Sequence, residues 1–273
     1  MGKKRERRLK HYTLHDLIGE GDIGRVYRST NRISGQEVAL KVFRADSTVA
    51  EARSYFENEG FILAQLNHPM IPALYEVLGG RCPGLAMALI DGKDGDVILA
   101  EMPAGGFLEP RQVLRWGIQI ADALGYLHGH NPPIAFCDLK PAHILINRQD
   151  QAWLVDFNLA KALPPSGYLA NADPIGTEGF APPEQYEGVI SPLVDVYALG
   201  ASLHQLLTGR DPRHEDRFVF ESPHHIHPGV PEAVSRVIMK ALAYEPGDRY
   251  RTMREMEAAL RQASENLTNP NGD

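Results

Sequence analysis

The chain has 273 residues, 43% of them hydrophobic, and 28 Lys and Arg stand against 35 Asp and Glu for a formal net charge of −7 at pH 7. That length buries a substantial core in one large domain or two lobes, and the acidic balance excludes a global attraction to nucleic acid or an anionic membrane. The two cysteines, Cys82 and Cys137, exclude a disulfide framework and suit the reducing cytoplasm. No run approaches the ~20 apolar residues of a membrane span.

From the N-terminus, KKRERRLK at 3–10 carries six basic side chains and one acid. Short charge runs stay hydrated, so residues 1–10 read as a basic, solvated leader and not as a partner-binding arm. No apolar signal-peptide stretch follows, and Glu6 stands where a myristoylation signal takes Ser or Thr. LIGEGDIGRVYRSTN, the turn RISG and QEVALKVF predict strand, turn and strand from their apolar and β-branched alternation. EARSYFENEGFILAQL, 51–66, sets Phe56, Glu59, Leu63 and Leu66 at helical spacing. ALYEVLGG and GLAMALIDG read as two further strands. Beyond Gly95 the texture turns helical. Residues 111–128 align Val113, Trp116, Ile120, Leu124 and Leu127 as a core stripe. Helical patterns return at 193–208, 232–243 and 250–263, and the last residues, 263–273, form a polar tail. HHIH at 224–227 is flanked by Pro without Cys or acidic partners, so it reads as an exposed loop and not as a metal site. The expectation is a small β-rich lobe joined near Ile90–Gly95 to a larger helical one.

GEGDIG places glycines at 19, 21 and 24. The same spacing opens dinucleotide-binding helices, where the glycines precede a helix. Here the strand-like RVYRST follows, and a glycine hairpin between strands lets backbone N–H groups fold over phosphates. VALK at 38–41 then places Lys41 on the third strand, with Glu59 on the following helix and HP at 68–69. With these residues and the motifs downstream, the chain resembles a protein kinase of the bacterial serine/threonine type. The resemblance covers 11–262, with a small lobe at about 11–90 and a larger one at about 91–262. It implies an α+β, bilobal protein-kinase-like fold. It also implies a Lys41–Glu59 ion pair that steadies the lysine on the phosphates of ATP. Gly19, Glu20, Gly21 and Gly24 would cover those phosphates. Val26, Ala39 and Leu145 would sandwich the adenine, with Met87 behind it and backbone groups at Ala88 to Ile90 bonding its edge.

FCDLKPAH at 136–143 and DFN at 156–158 match the family's catalytic loop and metal-binding motif. The match makes Asp138 the carboxylate that takes the acceptor hydroxyl's proton, Lys140 the cation on the transferring phosphate and Asp156 the principal Mg²⁺ ligand. D-L-K-P is the serine/threonine pattern. Four letters depart from it. Phe136 replaces a mainly packing histidine. Asn158 replaces a glycine, and asparagine tolerates a positive φ, so the turn survives. Cys137 replaces the arginine that receives a phosphorylated loop in many kinases. This suggests activity without loop phosphorylation, with the thiol as packing and not a redox switch. His143 replaces the asparagine that binds a second Mg²⁺. Imidazole suits softer divalent ions, so His143 points to one-metal catalysis on Asp156, a preference for Mn²⁺, or lost turnover.

GTEGFAPPEQY at 176–186 resembles the peptide-positioning loop. Thr177 would bridge Asp138 and Lys140, Pro183 and Glu184 would belong to the substrate platform, and Arg249 would be the buried partner of Glu184. Asp195 would tie down the catalytic-loop backbone. The hydroxyls between 158 and 175 are Ser166 and Tyr168, with no arginine at 137 to receive a phosphate. The resemblance implies a cytoplasmic kinase using ATP with Mg²⁺ or Mn²⁺ on a protein substrate, and capable of autophosphorylation. The rivals are a nucleotide-binding pseudokinase acting as a signalling scaffold, and an aminoglycoside-type small-molecule kinase. The latter is not expected to carry Glu184, Asp195 and Arg249 together.

Overall fold

The computed structural model describes residues 7–21, 23–43, 49–80, 82–103 and 107–268. The start of the basic run and the end of the polar tail lie outside the described residues. The fold is α+β and separates into two compact units, Met1–Asp91 with Asp156–Asn158, and Gly92–Val155 with Leu159–Asp273.

The smaller unit is built on an antiparallel sheet of six strands. These are β1 (Arg7–Leu9), β2 (Tyr12–Glu20), β3 (Gly24–Asn31), β4 (Glu37–Phe43), β5 (Leu74–Leu78) and β6 (Gly84–Ala88), in the order β1-β2-β3-β4-β6-β5. The basic run is therefore not wholly a solvated leader. Arg7, Arg8 and Leu9 pair with Leu14, Thr13 and Tyr12. Leu9 packs on a cluster of Tyr12, Val38, Leu40, Leu78 and Ala86, so one apolar residue in the run draws the backbone into the sheet. Helix α1 (Val49–Leu63) buries Phe56, Ile62 and Leu63, and Phe56 meets Phe43 edge-on at 4.7 Å. The helix stops at Leu63, three residues short of the apolar pattern. Leu66 follows the turn at 64–65 and is half-buried, its N–H bonded to the carbonyl of Leu63.

The larger unit is mainly helical. β7 (Gly92–Asp94), β9 (Ile144–Asn147) and β10 (Ala152–Leu154) form one small sheet, and β8 (Ile134–Ala135) pairs with β11 (Lys161–Ala162) in another. α2 (Gly95–Ala100) is capped by Asp94, whose side chain accepts from the Val97 N–H at 2.9 Å. α3 (Pro110–His128) buries the whole predicted stripe of Val113, Trp116, Ile120, Leu124 and Leu127. α4 (Pro183–Tyr186) is a single turn. α5 (Leu193–Thr208) is buried on every side and ends at Gly209 with φ 70°, the left-handed stop that glycine supplies without strain. α7 (Glu232–Ala241) and α8 (Met253–Thr268) complete the unit, with α8 lying along α3.

The HHIH segment is not an open loop. Pro223–Ile226 form the short helix α6, started by Pro223. The His224 ring bonds the carbonyl of Val230 at 2.8 Å, and His227 stacks on Phe107 at 4.8 Å. The His224 and His227 rings are thus taken up by backbone and ring contacts, and among the described residues no group of three or more His, Cys, Asp and Glu is placed to hold a metal ion.

Candidate active site

In the smaller unit the alternation of β4 sends Val38 and Leu40 into the core cluster and Ala39 and Lys41 to the opposite face. Register adds Val26, paired with Lys41, and Met87, paired with Ala39, so four of the residues expected around ATP share one sheet face. Ala88 ends β6, with its N–H donated to the carbonyl of Ala73 at 2.9 Å, and Ile90 follows, half-buried. In the glycine hairpin the Gly21 N–H donates to the Gly24 carbonyl at 3.0 Å, and Glu20 pairs with Arg25. The three glycines are not equivalent. A Cβ at Gly24 would lie 2.8 Å from the Val42 carbonyl oxygen, whereas Gly21 has open space around it. Gly24 is therefore demanded by strand packing, and Gly21 is not.

Lys41 is 6% exposed and lies among four oxygens. Its Nζ donates to Glu59 Oε1 and Oε2 at 3.0 and 2.8 Å, to Asp156 Oδ1 at 2.9 Å and to Asn158 Oδ1 at 2.9 Å. Burial opposes the ammonium, but the two carboxylates outweigh it and raise its pKa. Glu59, 1% exposed, is pushed up to about 6 by burial, against the pull of Lys41 and with the help of the Asp156 charge. Glu59 shares its ammonium with Asp156, so the buried Glu59 charge is not fully compensated. One expectation is corrected here. The positive φ in this segment belongs to Asp156, at 70°, and Asn158 is not among the described residues with positive φ. Asn158 earns its place through its side chain, which bonds Lys41, and through its carbonyl, which accepts from Asn58 Nδ2 of α1 at 3.3 Å.

In the larger unit the loop 136–143 runs from β8 to a turn of 3₁₀ helix, Pro141–His143. Its backbone is held from α5: the N–H groups of Phe136 and Cys137 donate to Asp195 Oδ2 and Oδ1, both at 2.8 Å, and His128 Nε2 pairs with the same carboxylate at 2.8 Å. Cys137 adopts φ 69°. Its buried thiol is pushed well above the ordinary cysteine value by burial and then by the Asp195 charge. Asp138 Oδ1 accepts from the Thr177 hydroxyl at 2.6 Å, and Lys140 Nζ donates to the same hydroxyl oxygen at 2.7 Å. His143 Nδ1 bonds the Asp138 carbonyl at 2.6 Å, which fixes the ring as a donor at that nitrogen. Leu145 is half-buried on β9, in register with Asp94 and Trp153.

Pro183 opens α4 and is buried. Glu184 receives Arg249 Nη1 and Nη2 at 2.6 and 2.9 Å, and Arg249 stacks over Tyr197 at 4.9 Å. Sequence reading missed Gln185. Its side chain is 1% exposed, yet a polar residue in a four-residue helix gives no local signal of burial.

A family model described as protein kinase domain matches residues 12–258. Serine/threonine-protein kinase PknB of Mycolicibacterium smegmatis is 32% identical over 271 residues, covering 91% of this chain and 42% of the relative. Serine/threonine-protein kinase PrkC of Bacillus subtilis is 30% identical over 264 residues, with 92% and 40% covered. Serine/threonine-protein kinase PknH of Mycobacterium tuberculosis is 30% identical over 277 residues, with 96% and 43% covered. The chain thus spans about two fifths of the length of these relatives.

Proposed function

The chain belongs to the protein kinase domain family, and on that footing we propose that it is a serine/threonine protein kinase transferring the γ-phosphoryl group of ATP to protein hydroxyls, its own included. The observation that carries this reading is the single aliphatic hydroxyl of Thr177, held at once by Asp138 Oδ1 and Lys140 Nζ. A carboxylate that accepts a hydroxyl proton at 2.6 Å, with an ammonium on the same oxygen, is the arrangement a serine or threonine acceptor needs. Asp138 would take the acceptor's proton as the new O–P bond forms and the bond to ADP breaks. Lys140 would balance charge on the transferring group, and Lys41, steadied by Glu59, would hold the nucleotide phosphates. Gly19, Glu20, Gly21 and Gly24 would cover the phosphates. Val26, Ala39, Met87, Ala88, Ile90 and Leu145 would bind the base. Thr177, Pro183 and Glu184 would shape the peptide platform.

Asp156 suits a divalent cation: its carboxylate is about one third exposed, and Mg²⁺ that keeps its waters and takes phosphate oxygens needs only one or two protein carboxylates. Bound there, the cation would neutralise phosphate charge. His143, whose Nδ1 donates to the Asp138 carbonyl, replaces a hard oxygen donor with an imidazole, a ligand type better matched to Mn²⁺ than to Mg²⁺. We assign the domain to the cytoplasm, where ATP is supplied; among the described residues no helix is long and apolar enough to cross a membrane.

The test is autophosphorylation and transfer to a generic basic protein with labelled ATP, with Mg²⁺ and Mn²⁺ in separate tubes. Signal is expected with at least one metal and is expected to vanish in Asp138→Asn. ATP binding without transfer under either metal would retire the enzyme reading in favour of a scaffold.

A further inference from the structure

Gln185 joins the two pieces of backbone that carry Asp138 and Thr177. Its Nε2 donates to the carbonyl of Cys137 at 2.7 Å and to the carbonyl of Ile175 at 2.9 Å. Cys137 immediately precedes Asp138, and Ile175 lies two residues before Thr177. Both acceptors are carbonyls, so only the two hydrogens of an amide nitrogen can satisfy them together, which settles how the Gln185 amide faces. The side chain is 1% exposed, and its own Oε1 has no hydrogen-bond partner among the described residues. A buried amide with an unsatisfied carbonyl costs stability; its NH₂ group is the part that this site uses.

The side chains around it agree. Cys137 packs with Ala135, Leu163, Ile190 and Val194, and Leu169, Ala172 and Ile175 close over that cluster. The same segment is pinned through its backbone by the Leu169–Ile190 bridge and by the Ala172 N–H on the Gly188 carbonyl at 3.0 Å. Gly176 leaves the amide its space: φ is +104°, and a Cβ there would stand 2.6 Å from Gln185 Nε2.

We infer that Gln185 is a positioning residue that latches residues 169–177 to the loop bearing Asp138 through uncharged contacts, so that the acceptor side of the site is assembled without a phosphate on that segment. The inference rests on the kinase reading for its effect on rate, but not for its effect on structure. An apolar cluster and one amide make the contacts that join the two pieces of backbone.

The test compares the unaltered chain, phosphatase-treated and untreated, with Gln185→Met, which keeps length and burial but removes both donors. Peptide kinetics and hydrogen exchange are read on each. A misplacement of the reacting groups on the ångström scale should lower kcat by about 10- to 100-fold and leave the KM for ATP unchanged. Exchange should rise in peptides covering 136–140 and 169–177 and stay unchanged in α7 and α8. Phosphatase treatment should leave the rate of the unaltered chain intact. Unchanged kinetics and exchange in Gln185→Met would overturn the inference, as would loss of rate on phosphatase treatment. If the unaltered chain transfers no phosphate, the kinase reading falls and exchange alone decides the latch. If Gln185→Met does not fold, protection of the Leu169 and Ala172 amides in the unphosphorylated, unaltered chain decides it, and rapid exchange there would overturn it.

Discussion

Lys41 carries three protons and faces four oxygens, and this crowding sets how Glu59 titrates. The Glu59 pKa is raised from 4.5 to about 6, so across that window the folded chain holds a proton that the unfolded chain has released. Its contribution to stability is therefore full below about pH 4.5 and is lost as pH rises through 6, a change of about 2 kcal/mol. Denaturant titrations of the wild type and Glu59→Gln at pH 4 and pH 7 should show the wild type losing that amount relative to the variant. The cysteines give a second prediction at this scale. Cys82 is exposed and Cys137 is buried, with the Cys137 thiol raised well above its ordinary value. A thiol reagent at pH 8 should label Cys82 in the folded chain and reach Cys137 only on denaturation, because the thiolate is the reactive form. Quantifying the two labelled peptides by mass spectrometry checks this. The resemblance to protein kinases made the pairing of Lys41 and Glu59 readable in advance. The bond from Lys41 to Asn158 was not readable, since a residue 117 positions away leaves no trace in any local pattern.

At the scale of elements, Arg249 shows what one side chain can fasten. Nε donates to the Ala243 carbonyl, Nη1 to Glu184 and the Leu193 carbonyl, and Nη2 to Glu184 and the Tyr244 carbonyl. The guanidinium thereby joins α4, the start of α5 and the end of the α7 region. A lysine offers three donors from one point and cannot match that fork. Arg249→Met, which leaves Glu184 without its cation, should cost roughly 3–5 kcal/mol, as for a broken buried pair, which lowers Tm on the order of 10 °C; calorimetry reads it directly. The long elements were legible because each repeats its own period. The stripe of α3 and the full span of α5 stand in the sequence. The single-turn helices α4 and α6 and the two-residue strands β8 and β11 were not legible, because such short pieces are stabilised by contacts with distant residues. For the same reason HHIH read as an open loop although its rings bond backbone and stack.

For the molecule as a whole, α5 is the axis of the larger unit. Residues Val194–Thr208 are all buried, including Asp195, Ser202, His204 and Gln205. A helix enclosed on every side can open only when the unit opens, so its amides should be the slowest to exchange in the chain; hydrogen exchange resolved by peptide checks this against α8, which keeps a solvent face. The division into two units shows the limit of reading along a chain. A boundary drawn in sequence order has no means of assigning Asp156–Asn158, a three-residue return, to the smaller unit.

Asp195 also bears on the exchanged letters of FCDLKPAH. The loop's N–H groups at 136 and 137 are claimed by that carboxylate through the backbone, which every residue except proline provides in the same form. The course of the loop is thus held from α5, while burial at 136 and 137 and the positive φ at 137 limit which side chains fit there. Loss of the carboxylate at 195 would release both N–H groups at once, and with them the curve on which Asp138 rides.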